Sequence, residues 1–359
     1  MIHDIAIIGA GIAGATLAAE LVPDARVLML ESEDVPGYHA TGRSAAFWSE
    51  TYGGPAIQPL TSASRGAFDV GGFLSPLGSL HIGTDADEAT VDAFLAAFAD
   101  SGVVLERVDP AATIPGLRSP WTLGVWEPSC AYIDVAALHA AALALARRGG
   151  ATLVTDAALQ AAERRDGAWT LTTRAGVFQA AILVDAAGAW ADPVARIAGA
   201  APIGITPYRR TMVQLRTDPS PPDRLPHVAD IGGRFYFKPE AGGRLWLSPH
   251  DESPAEAGDA QPEEIDVAIA IDRFEGVVDW RVAAVERRWA GLRSFAPDRR
   301  PIYGFDPHVA GFFWCAGQGG FGIQTAPAAA MVAAALLLGR TPGAAIAGID
   351  LEQYSPRRF

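Results

Sequence analysis

The chain has 359 residues, of which 50% are apolar and 19% charged, with a formal net charge of −13. That length exceeds one minimal domain and supplies a sizeable core. The acidic balance speaks against a nucleic-acid partner, which needs clustered Lys and Arg, and the dispersed charge excludes a disordered chain.

The N-terminus runs into a short apolar strand over residues 3–8 with no basic leader, which sets the expectation of a cytoplasmic protein. Next comes "GAGIAG", with Gly9, Gly11 and Gly14 in the G-x-G-x-x-G spacing. The first glycine allows the tight turn, the second the approach of a pyrophosphate, and the third close helix–strand packing. A helix over 12–22 and a second strand over 25–31 complete a βαβ unit with Glu31 at its end, where an acid meets a ribose hydroxyl and repels a 2′-phosphate. Ile12 at the helix start and Ser32 beside the acid belong to the same candidate set. A turn that only packs tightly would not require all three contexts, but the fingerprint by itself does not separate FAD from NAD.

Residues 36–48, "PGYHATGRSAAFW", are too polar and flexible for a core strand. Residues 53–72 are Gly-rich and lead to a strand over 77–83. Helices are expected over 87–99 and 136–148, and a strand over 151–157. A hairpin and an apolar strand ending in a small-residue turn fill 168–191. Alternating polarity over 203–250 predicts antiparallel sheet. A helix over 262–276 precedes a buried strand at 310–316, a glycine turn and an Ala-rich helix. The longest apolar run, residues 326–339, is shorter than the ~20 residues a membrane span needs and suits a buried helix. Cys130 and Cys315 form neither a CxxC pair nor zinc spacing and are expected as buried reduced thiols. No metal is implied.

The predicted class is α/β, a Rossmann-like dinucleotide-binding domain interleaved with an antiparallel-sheet substrate domain; the resemblance given next makes the first an FAD-binding domain. The expected division assigns residues 1–75, 140–205 and 295–359 to the first and 76–139 and 206–294 to the second.

Seven segments carry a resemblance that runs through nearly the whole chain in order: "AIIGAGIAGATLA", "PGYHATGRSAAFW", "ILVDAAGAWAD", "RRTMVQL", "FYFKPEAGG", "WAGLRSFAPDRRPIYG" and "FFWCAGQGGFGIQTAP". They resemble the FAD-dependent D-amino-acid oxidases and dehydrogenases, the glycine oxidase-like family, most of all its D-arginine dehydrogenase-like members. The resemblance implies that the 36–48 segment wraps a flavin. Thr41 and Ser44 would bond phosphate or flavin edges, Gly37, Gly42 and Ala45 would allow close approach, and Arg43 would neutralise phosphate or lock the loop. Ala187, Gly188 and Trp190 match the second flavin contact, and Ala158 the position whose backbone holds the adenine. Gly317, Gly319, Gly320, Phe321, Gly322, Ile323 and Gln324 match the final turn. There, glycines let backbone amides reach the flavin, and the positive helix end favours negative charge on the reduced ring.

The family oxidises a C–N bond by hydride transfer from Cα to flavin N5, so no side-chain nucleophile is required. Imino acids form and hydrolyse to 2-oxo acids and ammonia. Arginine is the natural carboxylate partner, and Arg210 and Arg293 match the family's positions, with Tyr236 and Tyr52 lining the same pocket. Arg209 and Arg210 are adjacent on a strand and point to opposite faces, so only one enters the pocket. Members that prefer basic substrates carry an acid where this chain has Ser79, and Phe47 and Trp48 look apolar, so neutral side chains are expected. Glu50 is the one nearby acid that would restore a basic preference if it reached in. The covalent flavin cysteine of sarcosine oxidase-like relatives has no counterpart here, so FAD is expected to be noncovalent. Oxidation of a secondary amine or cyclic imino acid stays open, as does that of a 2-hydroxy acid, which would call for a base among His39, His81 and His227. The electron acceptor, oxygen or a quinone, is not encoded in a motif.

Overall fold

A computed structural model describes residues 2–359. Its first sheet grows from the opening strand, Ile2–Ile8, which pairs in parallel with Val27–Leu30 on one side and Gly176–Asp185 on the other. Thr152–Val154 extends it beyond Val27–Leu30, and Phe312–Ala316 joins Gly176–Asp185, both in parallel. A meander of Leu159–Arg165 and Ala168–Thr173 and the antiparallel strand Ile302–Phe305 complete eight strands. Strands buried on both faces read as unbroken apolar runs, as "VLML" and "FFWCA" do. Their side chains alternate between two cores. Ile5, Ile7, Val27 and Met29 pack with the helices Ile12–Leu21 and Gly322–Leu338, and Ala6, Ile8, Leu28 and Leu30 pack on the opposite face.

The second sheet has ten strands. Its spine is the antiparallel pair Thr206–Asp218 and Arg281–Phe295, in register from Thr206 opposite Phe295 to Asp218 opposite Arg281. Arg244–Ser248, Tyr236–Glu240 and His227–Asp230 follow antiparallel, and Ser79–Thr84 joins His227–Asp230 in parallel. Trp121–Glu127 lies beyond it. The helix Glu264–Glu275 packs Val267, Ala270 and Phe274 on one face of this sheet and leaves the other for the cavity described below. A three-stranded sheet of Phe47–Trp48, Ala131–Ile133 and Leu74–Pro76 sits beside it. The expected α/β class, with a Rossmann-like unit and an antiparallel sheet, is the fold observed.

Two elements were not foreseen from the sequence. The Gly-rich stretch after residue 53 contains a helix, Gln58–Gly71, whose buried face is Leu60, Thr61, Ser64 and Phe68. Polar residues on that face hide its periodicity, and the glycines that frame it, Gly53, Gly54 and Gly72, all have positive φ and serve as turns. Arg281–Phe295 is a strand although its first half is exposed and charged. Its pairing with Thr206–Asp218, not its own pattern, makes it one. Among the described residues no helix is long and apolar enough to cross a membrane, and the Ala-rich helix is mostly buried.

Candidate active site

A cavity of about 510 Å³ begins at the carboxyl ends of the parallel strands, at Ile8, Leu30 and Ala186, and ends on the second sheet at Arg210, Tyr236 and Arg293. At the first end, Gly9 has φ +98°, and a Cβ there would lie 2.6 Å from the Ala186 carbonyl oxygen. Gly14 does not line the cavity. A Cβ on it would sit 2.0 Å from the Gly9 carbonyl oxygen, so it serves the contact of helix with turn. The helix begins at Gly11 without a side-chain cap, and the Ile12 N–H donates to Thr41 Oγ1 at 3.0 Å. Glu31 accepts from the Ala10 N–H at 2.8 Å and from Ser32 Oγ and the Glu33 N–H, each at 3.1 Å, and lines the cavity beside Ser32. His139 holds the turn from below, its Nε2 2.8 Å from the Ala10 carbonyl oxygen. The sequence reading missed this residue, and its one signal is a histidine on the buried face of an expected helix. A turn that a single Cβ would block, an open helix end and a carboxylate past the second strand fit the adenosine half of a dinucleotide.

The 36–48 segment borders the same cavity through Thr41, Arg43, Ser44 and Ala45, while Gly42 faces away and donates its N–H to the Gly37 carbonyl at 2.7 Å. Arg43 uses its guanidinium on protein groups: the carbonyls of Ala260 at 3.0 Å and Ala290 at 3.3 Å, and the Asp259 carboxylate. It ties the segment to residues 258–260, whose Gly258 and Ala260 also line the cavity and were not foreseen. His39 lines it too, with Nε2 2.9 Å from Glu33 and its ring 4.6 Å from that of Trp190. Ala158, Ala187, Gly188 and Trp190 lie along the wall, as do Gly319, Gly320, Gly322, Ile323 and Gln324 at the start of the long helix. Gly317 and Phe321 do not. Gly317 makes a positive-φ turn against Ala296, and Phe321 packs with Phe295 and Ile57.

At the far end, Tyr208 pairs with Arg293 and Arg210 with Gly291 across two antiparallel strands. Residues two apart share a face, so Arg210 and Arg293 are diagonal neighbours on the cavity side. Arg209 takes the other face and binds Asp266 at 2.9 Å and Glu263. Arg210 is 3% exposed. Its Nε donates to the Asp251 carbonyl at 2.8 Å and its Nη2 to Glu252 at 3.3 Å, while Nη1 is buried with no partner. Burial, with the nearby Arg293 cation, pushes its pKa down to about 10. Arg293 Nη1 donates to the Tyr52 hydroxyl at 2.7 Å, and Tyr236 donates its hydroxyl to Met212 Sδ at 3.1 Å. Burial above all, and then the Arg210 and Arg293 cations, push His250 down to about 3.

Phe47 closes the wall, and Trp48 turns away to donate its indole N–H to the Thr61 carbonyl at 3.1 Å. Ser79, His81 and His227 lie outside the cavity. Ser79 Oγ is 2.9 Å from His227 Nδ1, and the His227 ring packs 4.1 Å from that of Phe47. Glu50 does not reach in, because its carboxylate accepts the Ser62 hydroxyl on the Gln58–Gly71 helix. Both cysteines are buried and neither lines the cavity.

The family described as DAO, FAD dependent oxidoreductase, matches residues 4–336. The bifunctional protein ThiO/ThiG of Synechocystis sp. is 26% identical over 369 residues, covering 99% of this chain and 54% of that protein. The chain thus spans about half the length of the curated relatives it matches over its whole extent. Among solved structures, glycine oxidase from Geobacillus kaustophilus superposes with a TM-score of 0.85 at 23% identity over 99% of each chain. L-proline dehydrogenase from P. horikoshii superposes with a TM-score of 0.86 at 23% identity over 100% of this chain and 98% of that one. At that identity the likeness is one of fold.

Proposed function

The chain belongs to the DAO family of FAD-dependent oxidoreductases, and from that premise we propose that it oxidises neutral D-amino acids to imino acids, which water then converts to 2-oxo acids and ammonia. FAD is its cofactor, and when bound it supplies a two-electron acceptor that the side chains of this cavity do not. The observation that carries the reading is the far end of the cavity. There the Arg210 Nη1, buried without a partner, and the Arg293–Tyr52 pair share one face. Two guanidiniums and a phenol in a dry wall are donors for a carboxylate. Holding that group fixes the α-carbon and its amine, and the buried surroundings exclude water.

The side-chain preference follows from what surrounds that end. Its titratable lining residues are Tyr52, Arg210, Tyr236 and Arg293, with no carboxylate among them. A basic side chain would meet two like charges and no partner, so the frame resembles the D-arginine dehydrogenase-like members without their preference. We further propose noncovalent FAD, since no cysteine lines the cavity, a cytoplasmic location, and the two-domain division at residues 75, 139, 205 and 294. A second reading, oxidation of a secondary amine or cyclic imino acid, draws on the same carboxylate site and on the activities named for the two fold neighbours. A 2-hydroxy acid is less well served. His39 is the histidine that lines the cavity, and it sits beside Glu33 and Trp190 rather than the arginines.

The test is an anaerobic absorbance spectrum of the FAD-loaded protein with a panel of D- and L-amino acids, sarcosine and proline. Bleaching by neutral D-isomers alone is the expected result. D-arginine as the fastest reductant would end the neutral preference. Bleaching by sarcosine or proline alone would install the second reading, and no bleaching by any amine would end both.

A further inference from the structure

Tyr52 reaches Arg293 from a loop, residues 49–52, that belongs to no helix or strand. What grips this loop is a single carboxylate outside the cavity. Glu127 ends the strand Trp121–Glu127 and is fully buried. Its Oε2 accepts the Ser49 hydroxyl at 2.9 Å and the Thr51 hydroxyl at 2.6 Å, and its Oε1 accepts the Glu50 backbone N–H at 2.7 Å. His81 Nε2 lies 3.4 Å away. Burial opposes ionisation of this group, but His81 and the Thr51 and Ser49 hydroxyls outweigh it and hold its pKa below the ordinary value. Gln324, on the first turn of the long helix, takes the loop from the other side. Its Oε1 accepts the Ser49 N–H at 3.4 Å, and its Nε2 donates to the Tyr52 carbonyl at 3.0 Å.

We propose that Glu127 is a positioning residue for carboxylate recognition: by binding three successive residues of the loop it sets the Tyr52 hydroxyl on Arg293. The proposal rests on the reading of Arg293 and Tyr52 as a carboxylate site. A buried ion is costly and is weak evidence of stability by itself. This one is fully engaged, and all three of its loop partners immediately precede Tyr52. Charge-assisted hydrogen bonds are about twice as strong as neutral ones, which suits a loop with no ladder of its own. Without the clamp, Tyr52 would sample other positions, and ligand binding would have to order it again.

The test is binding of acetate to the FAD-loaded protein, followed by the perturbation of the flavin absorbance, in wild type, Glu127→Gln, Thr51→Val, Tyr52→Phe and the double variant Glu127→Gln/Tyr52→Phe. Glu127→Gln should weaken acetate about tenfold, the scale of one lost hydrogen bond to a charged group. In the Tyr52→Phe background the same change should add less than about twofold, because the group it positions is gone. Thr51→Val should show the same pattern at smaller size, and it carries the test if Glu127→Gln does not retain FAD. Equal losses in both backgrounds, or a Thr51→Val protein that binds FAD and acetate like wild type, would overturn the role of Glu127. Wild-type protein that holds FAD and gives no response to acetate would remove the carboxylate site itself, and the proposal with it.

Discussion

Asp185 lies at the end of the strand Gly176–Asp185 with no exposed surface. Its Oδ1 accepts the Ala187 N–H at 3.1 Å, while Oδ2 is buried with no partner. Burial raises its pKa well above the ordinary value, and the nearby Asp192 adds to the rise. A raised acid keeps its proton in the folded state and loses it in the unfolded one. Its contribution to stability is therefore full below the ordinary carboxylate range and is lost as pH climbs toward the raised value. Asp185→Asn cannot ionise. Its Tm should match wild type near pH 4, about the ordinary carboxylate pKa, and exceed it progressively as pH rises. A Tm difference that stays constant with pH would show that Asp185 is ionised in the folded protein. At this scale the sequence was legible where a strand's alternation decides the outcome: Arg209 and Arg210 had to part, and they did. It was illegible for Glu127, whose partners lie 76 to 78 residues away in the chain. No local pattern announces a carboxylate that will be buried by distant hydroxyls.

Among elements, the opening strand, its turn and the helix Ile12–Leu21 form a unit whose geometry depends on glycines more than on any ligand contact. Gly14 touches no part of the cavity, yet a Cβ there would collide with the Gly9 carbonyl, which is backbone and cannot swing aside. Gly14→Ala should therefore push the helix off the strand, open the Gly9–Ala186 approach and release FAD, seen as a purified protein without its yellow colour. Retention of full FAD with an unchanged Tm would show that the helix shifts at little cost. Such motif-bearing elements could be read in advance because neighbours in sequence dictate their shape. The helix Gln58–Gly71 could not, because Thr61 and Ser64 occupy its buried face. Each hydroxyl donates to the carbonyl four residues back, Thr61 to Ile57 at 3.3 Å and Ser64 to Leu60 at 2.8 Å, and also accepts from the long helix: Thr61 Oγ1 from Gln324 Nε2 at 2.9 Å and Ser64 Oγ from the Ala328 N–H at 3.1 Å. The segment around Gly258 and Ala260, which lines the cavity and is tied to the 36–48 segment by Arg43, was equally hidden, since its partners lie more than 200 residues away in the chain.

For the whole molecule, the cavity is the junction of the two large sheets. Its lining comes from the ends of parallel strands, from the 36–48 segment, from the first turn of the Gly322–Leu338 helix and from the inner face of the antiparallel sheet. Arg43 and the Arg293–Tyr52 bond cross that junction directly. Glu127 with the 49–51 loop, and Phe321 with Phe295 and Ile57, add further direct contacts, while a cofactor seated in the cavity adds contacts that the protein lacks without it. A ligand that binds only the folded state stabilises it by about 2.7 kcal/mol at a hundredfold excess over its Kd. Removing FAD should then lower the Tm by several degrees, and titrating it back should raise the Tm with the logarithm of free FAD. The same titration with NAD should leave the Tm where it was. A Tm that ignores FAD, in protein shown by its absorbance to have taken FAD up, would mean that the two sheets are held by their own contacts and that the cavity is already rigid when empty.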